Sequence, residues 1–230
     1  MLLVCVAVVV YALITMGDGR GPLIYSEHLD DVAVTVDEKE VTFRDLAFYI
    51  LYEERKVEEQ ARIYNPDYTK DYWNLHTNDT FIQEEAKDVV MGMAVHDYLF
   101  YQMAVAEGMD TLTASEEDEL AFAITDFWED MLDVQWENLP CDEETINEQI
   151  RIVAIAEKYQ DYLAKEQGPS QAAYKYDGYY YSLIRDEHSV KINKKLWQKF
   201  VMGDITLEHT KLNYINGLTD ADKEKIKDKR

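Results

Sequence analysis

Apolar and polar positions alternate in two short stretches of this chain and recur at helical spacing in the long reach between them. Val32, Val34 and Val36 alternate with Ala33 and Thr35, the period of a strand. Asp37 to Glu40 is a polar turn, and Val41 resumes extended structure. Thr42 stands three residues before Asp45, a spacing suited to capping a helix N-terminus. Beyond it Phe43, Leu46, Ala47, Ile50, Val57 and Ala61 share a helical face, with Glu53, Glu54, Arg55 and Lys56 largely on the other side. That pattern predicts a first helix to about Tyr64. Asn65-Pro66-Asp67 ends it, and a loop runs through Trp73 to Asp79.

A second helix is predicted from Thr80 to Gly108, with Gly108 as its C-terminal stop. Ile82, Ala86, Val89, Met93, His96, Phe100 and Met103 form its stripe, and Val90, Ala94 and Tyr101 widen it, so this helix belongs at the centre. Thr113 opens a third helix with Glu116 completing a capping box. Leu120, Ile124, Phe127 and Met131 form its face, with Trp128 beside it. The acids Glu116 to Glu119 fall in its first turns, where they suit the helix dipole. A fourth helix spans about Glu143 to Glu166, with Ile146, Ile150, Val153 and Ala154 inward. Gly168-Pro169-Ser170 breaks the chain, and a fifth helix is expected over about Gln171 to Glu187, with Gly178 working against it.

Alternation returns at Ser189-Val190-Lys191-Ile192-Asn193, followed by a helical turn carrying Leu196, Trp197, Phe200 and Val201. A lone strand cannot satisfy its backbone groups. The economical partner is Val32–Val36 or Val41. The expected fold is therefore mostly α, with about five to six helices. A small β element pairs an N-terminal strand or hairpin (about 32–43) with a late short strand (about 189–193).

Met1 to Met16 is almost wholly apolar and breaks at Gly17-Asp18-Gly19-Arg20-Gly21-Pro22. The run is shorter than the ~20 residues of a spanning helix and closer to a signal-peptide hydrophobic region. No Lys or Arg precedes it, and no Ala-x-Ala site follows it. The expected organisation is a signal peptide or N-terminal membrane anchor (1–17), a linker (18–31), one helical domain (32–205) and a polar C-terminal tail (206–230).

Charge then narrows the partners. Forty-six acidic against 23 basic residues give a net charge of −23. Such a surface repels phosphate backbones, so nucleic acid is not an expected partner, and a polybasic grip on a membrane surface is disfavoured. Cys5 and Cys141 are the only cysteines, too few for a zinc site of three or four thiolates. No Glu-x-x-His pair, His-Glu-x-x-His, Gly-x-Ser-x-Gly or phosphate-cradling loop occurs. His96 reads as a hydrogen-bonded core histidine. Asn78-Asp79-Thr80 fits a glycosylation sequon, and Thr80 serves equally as an N-cap. No catalytic residue, metal site or cofactor is expected. Seventeen tyrosines and eight methionines offer adaptable apolar surface. Tyr49, Tyr52, Met93, Phe100, Met103, Phe127 and Trp128 are the candidate peptide-binding residues, in a groove between the long helices.

The order VAVTV-x4-VTFRDLAFYI, then a helix ending in AEGM, a helix opened by TASEEDEL, and finally HSVKINKKLW resembles the SurA N-terminal-like domain of the SurA, PrsA and trigger-factor-related foldases. The resemblance spans about Val32 to Phe200. It implies an exported chaperone-like domain, extracytoplasmic, whose partners are unfolded or nascent exported polypeptides. It also implies contact with the membrane through the N-terminal segment if that is uncleaved. Many such proteins insert a parvulin-type prolyl isomerase between the last two helices. Here that junction is only Lys165-Glu-Gln-Gly-Pro-Ser-Gln171, and no histidine lies between His96 and His188. Isomerase activity is accordingly not implied for this chain. The alternative is an accessory or structural extracytoplasmic protein that keeps the fold without binding clients.

Overall fold

The computed structural model describes residues 22–207. The apolar leader (1–17), the start of the expected linker and everything from residue 208 onward lie outside the described residues. The elements run β1 (Val32–Val36), β2 (Lys39–Thr42), α1 (Ala47–Tyr64), α2 (Lys70–Trp73), β3 (His76–Thr77), β4 (Thr80–Phe81), α3 (Ile82–Ala106), α4 (Ala114–Glu129), α5 (Asp133–Glu137), α6 (Glu143–Gln167), α7 (Tyr179–Arg185), β5 (Val190–Ile192) and α8 (Lys194–Trp197). The protein is mostly helical with a small antiparallel sheet, as its residue pattern predicts.

The sheet has the order β2-β1-β5, with both pairings antiparallel. Val36 stands opposite Val190 and Val34 opposite Ile192. Side chains alternate across a strand, so these four share one face, where Val34 and Val36 are wholly buried. Both ends of β5 are pinned. At one end Asn193 donates its N–H to Ala33 O (2.8 Å) and its Nδ2 to Val32 O (3.0 Å). At the other, Asp37 occupies the β1–β2 turn at φ +53°, a left-handed conformation that Asp tolerates better than most residues. Its N–H donates to Ser189 O (2.7 Å), and its carboxylate accepts from Ser189 N (2.9 Å) and faces His188 Nδ1 at 2.7 Å. The His188 and Ser189 hydrogen bonds hold the Asp37 carboxyl below its ordinary range.

The Thr42–Asp45 pairing is present in full. Thr42 N–H donates to Asp45 Oδ2 (2.8 Å) and Asp45 N–H to Thr42 Oγ1 (3.2 Å). The motif closes a turn over residues 43–46, and regular helix starts only at Ala47. α3 is the central helix: every residue from Ala94 to Phe100 is buried, and it packs most extensively against α6. The capping box at Thr113 and Glu116 opens α4 as expected, and Asp142 caps α6 by accepting from Thr145 N.

Four expectations need correcting. The stretch 22–31 is not a bare linker: Leu23 and Tyr25 are buried, and the Tyr25 hydroxyl donates to Phe43 O at 2.7 Å. The loop before α3 holds α2 and a two-strand hairpin whose turn residues, Asn78 and Asp79, both have positive φ, the signature of a primed turn. Thr80 therefore lies in β4, and Phe81 takes the N-cap position of α3. The fifth helix breaks into a 3-10 turn at Gln171–Tyr174 and a separate α7. A Cβ on Gly178 would lie 2.4 Å from Ala173 O, so the chain can fold back there only with glycine.

The fourth correction concerns α1. Glu54 and Glu58 are wholly buried and Glu53 nearly so: Glu54 and Glu58 follow Ile50 in steps of four and so lie on the apolar face of the helix, not on the polar side expected for Glu54. Trp73 Nε1 donates to Glu58 Oε1 at 2.7 Å. Glu54 is enclosed by the loop after α8: Gly203 N–H donates to Oε1 (2.8 Å) and Thr206 Oγ1 to Oε2 (3.2 Å). Gly203 adopts φ +87°, which aims its N–H at the carboxyl. Thr206 thus belongs to the body and not to a tail. Burial pushes the Glu54 carboxyl up to about 8, against the opposing hydrogen bonds.

Two outcomes follow from these contacts. Glu54 binds its proton more tightly in the folded chain. The stability this contributes is fully present below about pH 4.5 and is lost as pH rises towards 8. In urea unfolding, the stability of the parent chain relative to Glu54→Gln should therefore fall between pH 5 and pH 8 and level off above. Equal pH dependence in the two proteins would contradict a buried, protonated Glu54. Asp37→Ala removes the turn's carboxylate from β5 and should cost about 1–2 kcal/mol at neutral pH, with Asp37→Asn milder because it keeps the backbone tolerance. Because the Asp37 carboxyl is held low, this loss should shrink only as pH falls below about 4.

Candidate functional site

Helix α4 buries only Leu120 and Phe127 along its length, and its Phe122 is 70% exposed. Its first turn is tied to α6 by charge. Arg151 forms a two-pronged pair with Glu117 (2.7 and 2.8 Å), and Lys158 Nζ reaches Glu116 Oε2 (2.9 Å) and Thr111 O (2.8 Å). Past that turn α4, α1 and α6 enclose a groove of about 240 Å³. Phe48 and Tyr52 of α1, Phe127 of α4 and Ile150, Val153 and Ala154 of α6 line it. The Phe48 ring stacks on Tyr52 (5.9 Å) and leans on Phe127 (5.2 Å). Asp126, Asp130 and Glu157 bring carboxylates to the same groove, against the single cation Arg55, which lies 3.9 Å from Asp130. An aromatic floor with an acidic margin suits apolar side chains flanked by basic ones.

Of the residues expected to bind peptides, the structure brings Tyr52 and Phe127 together in this groove. Trp128 is the neighbour of Phe127, half-buried, with its Nε1 donating to Asn147 Oδ1 (2.8 Å) and its ring edge-on to Trp136. Tyr49 and Phe100 are core residues, 1% and 0% exposed, and offer no surface to a ligand. Met93 and Met103 pack half-buried against the core from α3 and do not line the groove. Phe48 completes the floor. Its signal was available, since it stands four residues before Tyr52 and so shares a helix face with it.

A second hollow, of about 550 Å³, opens between α3, α7 and the outer edge of β5. Met91 and Val95 of α3, Tyr176, Tyr179 and Tyr181 of the α7 region, and Val190 and Ile192 of β5 line it. The concentration of tyrosine between Tyr174 and Tyr181 was the sequence signal for this surface.

Neither hollow is lined by a histidine or a cysteine. His96 is 4% exposed, with Nδ1 2.6 Å from Asp97 Oδ1 and Nε2 2.8 Å from Tyr174 O. It is a clamp fastening the 171–174 turn to α3, with its ring tilted against Phe100 and edge-on to Tyr181. Burial and the nearby Asp142 charge push the Cys141 thiol up to about 11, which keeps it out of the reactive thiolate form. Among the described residues no three His, Cys, Asp or Glu side chains converge as a metal site would require. No helix among them is long and apolar enough to cross a membrane.

Compared with known proteins, the chain matches no family model, no curated protein and no solved structure.

The fold-back at Gly178 shapes the second hollow and is open to a direct test. Gly178→Ala should cost about 1–3 kcal/mol by pressing a methyl group into the carbonyls of Ala172 and Ala173, read as a lower midpoint in urea. An unchanged midpoint would show that this close approach is not required.

Proposed function

We propose that this chain is an exported, chaperone-like module that holds non-native polypeptides through apolar side chains and performs no catalysis of its own. The observation that carries the reading is the groove between α1, α4 and α6, with Phe48, Tyr52 and Phe127 as its floor and carboxylates at its margin. A ligand of variable sequence is best held by aromatic rings, which give large contact area without demanding one partner geometry. One wall of the groove, α4, buries few side chains, which suits clients of different bulk.

Two further features support the reading. The resemblance to the SurA and PrsA group rests on a strand, a turn, a capped helix and a returning strand. The hairpin of β1 and β2 closed by β5 is an arrangement consistent with it. The apolar leader before residue 18 supports an extracytoplasmic location, on the outer face of the cytoplasmic membrane or beyond. The junction between α6 and α7, with Gly168 at φ +86° ending α6, carries no inserted module, which favours holding over prolyl isomerisation.

The test is suppression of light scattering by an aggregating exported protein. The parent chain at excess should delay aggregation, and Tyr52→Glu, which places a fourth carboxylate in the groove, should reduce the effect several-fold while leaving the helical circular dichroism unchanged. No suppression by the parent chain would overturn the proposal in favour of an accessory structural role.

A further inference from the structure

Among the described residues, the outer edge of β5 is the most specific unfilled surface. Its pairing with β1 fixes which way each backbone group points. Asp37 N–H bonds to Ser189 O and Asn193 N–H to Ala33 O, so the hydrogen-bonded positions of β5 are 189, 191 and 193. Lys191 is therefore spent on Thr35. The N–H and C=O groups of Val190 and Ile192 point away from β1, and no hydrogen bond to them occurs among the described residues. A strand edge of this kind is a template for another main chain. Edges are ordinarily blunted by covering, by proline, by shortness or by charge; among the described residues β5 has neither proline nor a further strand beside it, and its one charge, Lys191, projects from the face opposite Val190 and Ile192.

The surroundings of that edge are equally specific. Val190 and Ile192 share the face of Val34 and Val36, yet they are only half-buried, because the core layer ends with them. Beyond them lies the hollow of about 550 Å³ floored by Met91 and Val95 and flanked by tyrosines. Tyr179 and Leu183 of α7 continue this apolar surface outward, 68% and 47% exposed. The charged residues of its lining are Asp88, Asp177 and Arg185, an acidic excess within a chain of net charge −23.

We propose that an extended segment of a partner polypeptide adds to the sheet as a fourth strand beside β5. Its alternate apolar side chains enter the tyrosine-flanked hollow, and its basic residues lie against Asp88 and Asp177. The main-chain groups of Val190 and Ile192 recognise any extended backbone, while the hollow selects apolar residues at every second position. This inference rests on the polypeptide-binding reading but assigns a separate site and a different mode of recognition from the α1/α4/α6 groove.

The experiment uses the full chain and the lysine-flanked heptapeptide KVTFTVK, with amide hydrogen exchange followed residue by residue. Peptide should slow exchange at Val190 and Ile192 by roughly tenfold or more, as expected for amides newly bonded in a sheet, with little change at Lys191, already bonded to Thr35. Val190→Pro removes one outward N–H without touching the Thr35 pairing and should abolish the protection. If that variant does not fold, the paired exposed changes Asp88→Lys and Asp177→Lys provide the second arm and should weaken peptide binding several-fold. Binding that protects only the groove around Ile150 and Val153 would overturn this inference and leave the polypeptide-binding reading standing. Absence of binding at both places, together with no suppression of aggregation, would overturn both.

Discussion

The pairing of β5 with β1 is the constraint on which the rest of the fold depends. Asn193 bonds to Val32 across 161 positions of sequence, so nearly the whole body is a loop closed by this contact. The entropy of closing a loop rises only slowly with its length, by ~0.6 kcal/mol per doubling. A short strand can therefore hold a long insertion if its ends are fixed firmly. Asp37 and Asn193 supply that fixing, one at each end of β5. Once β5 is in place, α8 and the residues after it follow, with Trp197 and Phe200 packing on Phe43 and Tyr25. The chain then reaches Glu54, whose carboxyl anchors residues 203–206.

Much of this was legible in the residues, and the exceptions have physical causes. Alternation identified β1 and β5, and the need of a lone strand for a partner joined them. The Thr113 and Glu116 box and Gly108 marked real helix ends, because capping is a local interaction and leaves a local trace. Short elements were missed. α2, α5 and the β3–β4 hairpin have too few residues to show a period, and tertiary packing decides their conformation. The burial of Glu54 was masked by its charge: it stands four residues after Ile50, on the apolar face, and what satisfies its carboxyl is a loop 149 positions away that nothing near it in sequence announces. In the candidate site, Tyr52 and Phe127 were found because they belong to long amphipathic helices. Tyr49 and Phe100 were included because an aromatic ring looks alike in a sequence whether it lines a groove or fills a core.

Several buried polar side chains are anchors that join a long helix to a short element or loop. Glu54 holds the loop after α8, Glu58 holds Trp73 of α2, and His96 with Asp97 holds the turn before α7. Gln135 of α5 does the same, donating to Leu51 O of α1. Apolar packing is non-directional and would allow these segments to slide, whereas a buried hydrogen bond fixes one position and makes the others costly. The two hollows lie where such anchoring stops: beyond the first turn of α4, and beyond the last paired strand.

The attachment of α4 has a consequence for motion. Its beginning is fastened by Arg151 and Lys158 and its end by Trp128, which donates to Asn147 and lies edge-on to Trp136, while along its length it buries only Leu120 and Phe127. Segments with few buried contacts open at a free-energy cost well below that of unfolding the whole protein. α4 is held at both ends and thinly packed between them, so its middle can shift against α1 and α6 more easily than its ends. Under the proposed polypeptide-binding role, that middle stretch is where the groove would widen to admit guests of different bulk, while both ends of the helix keep their place.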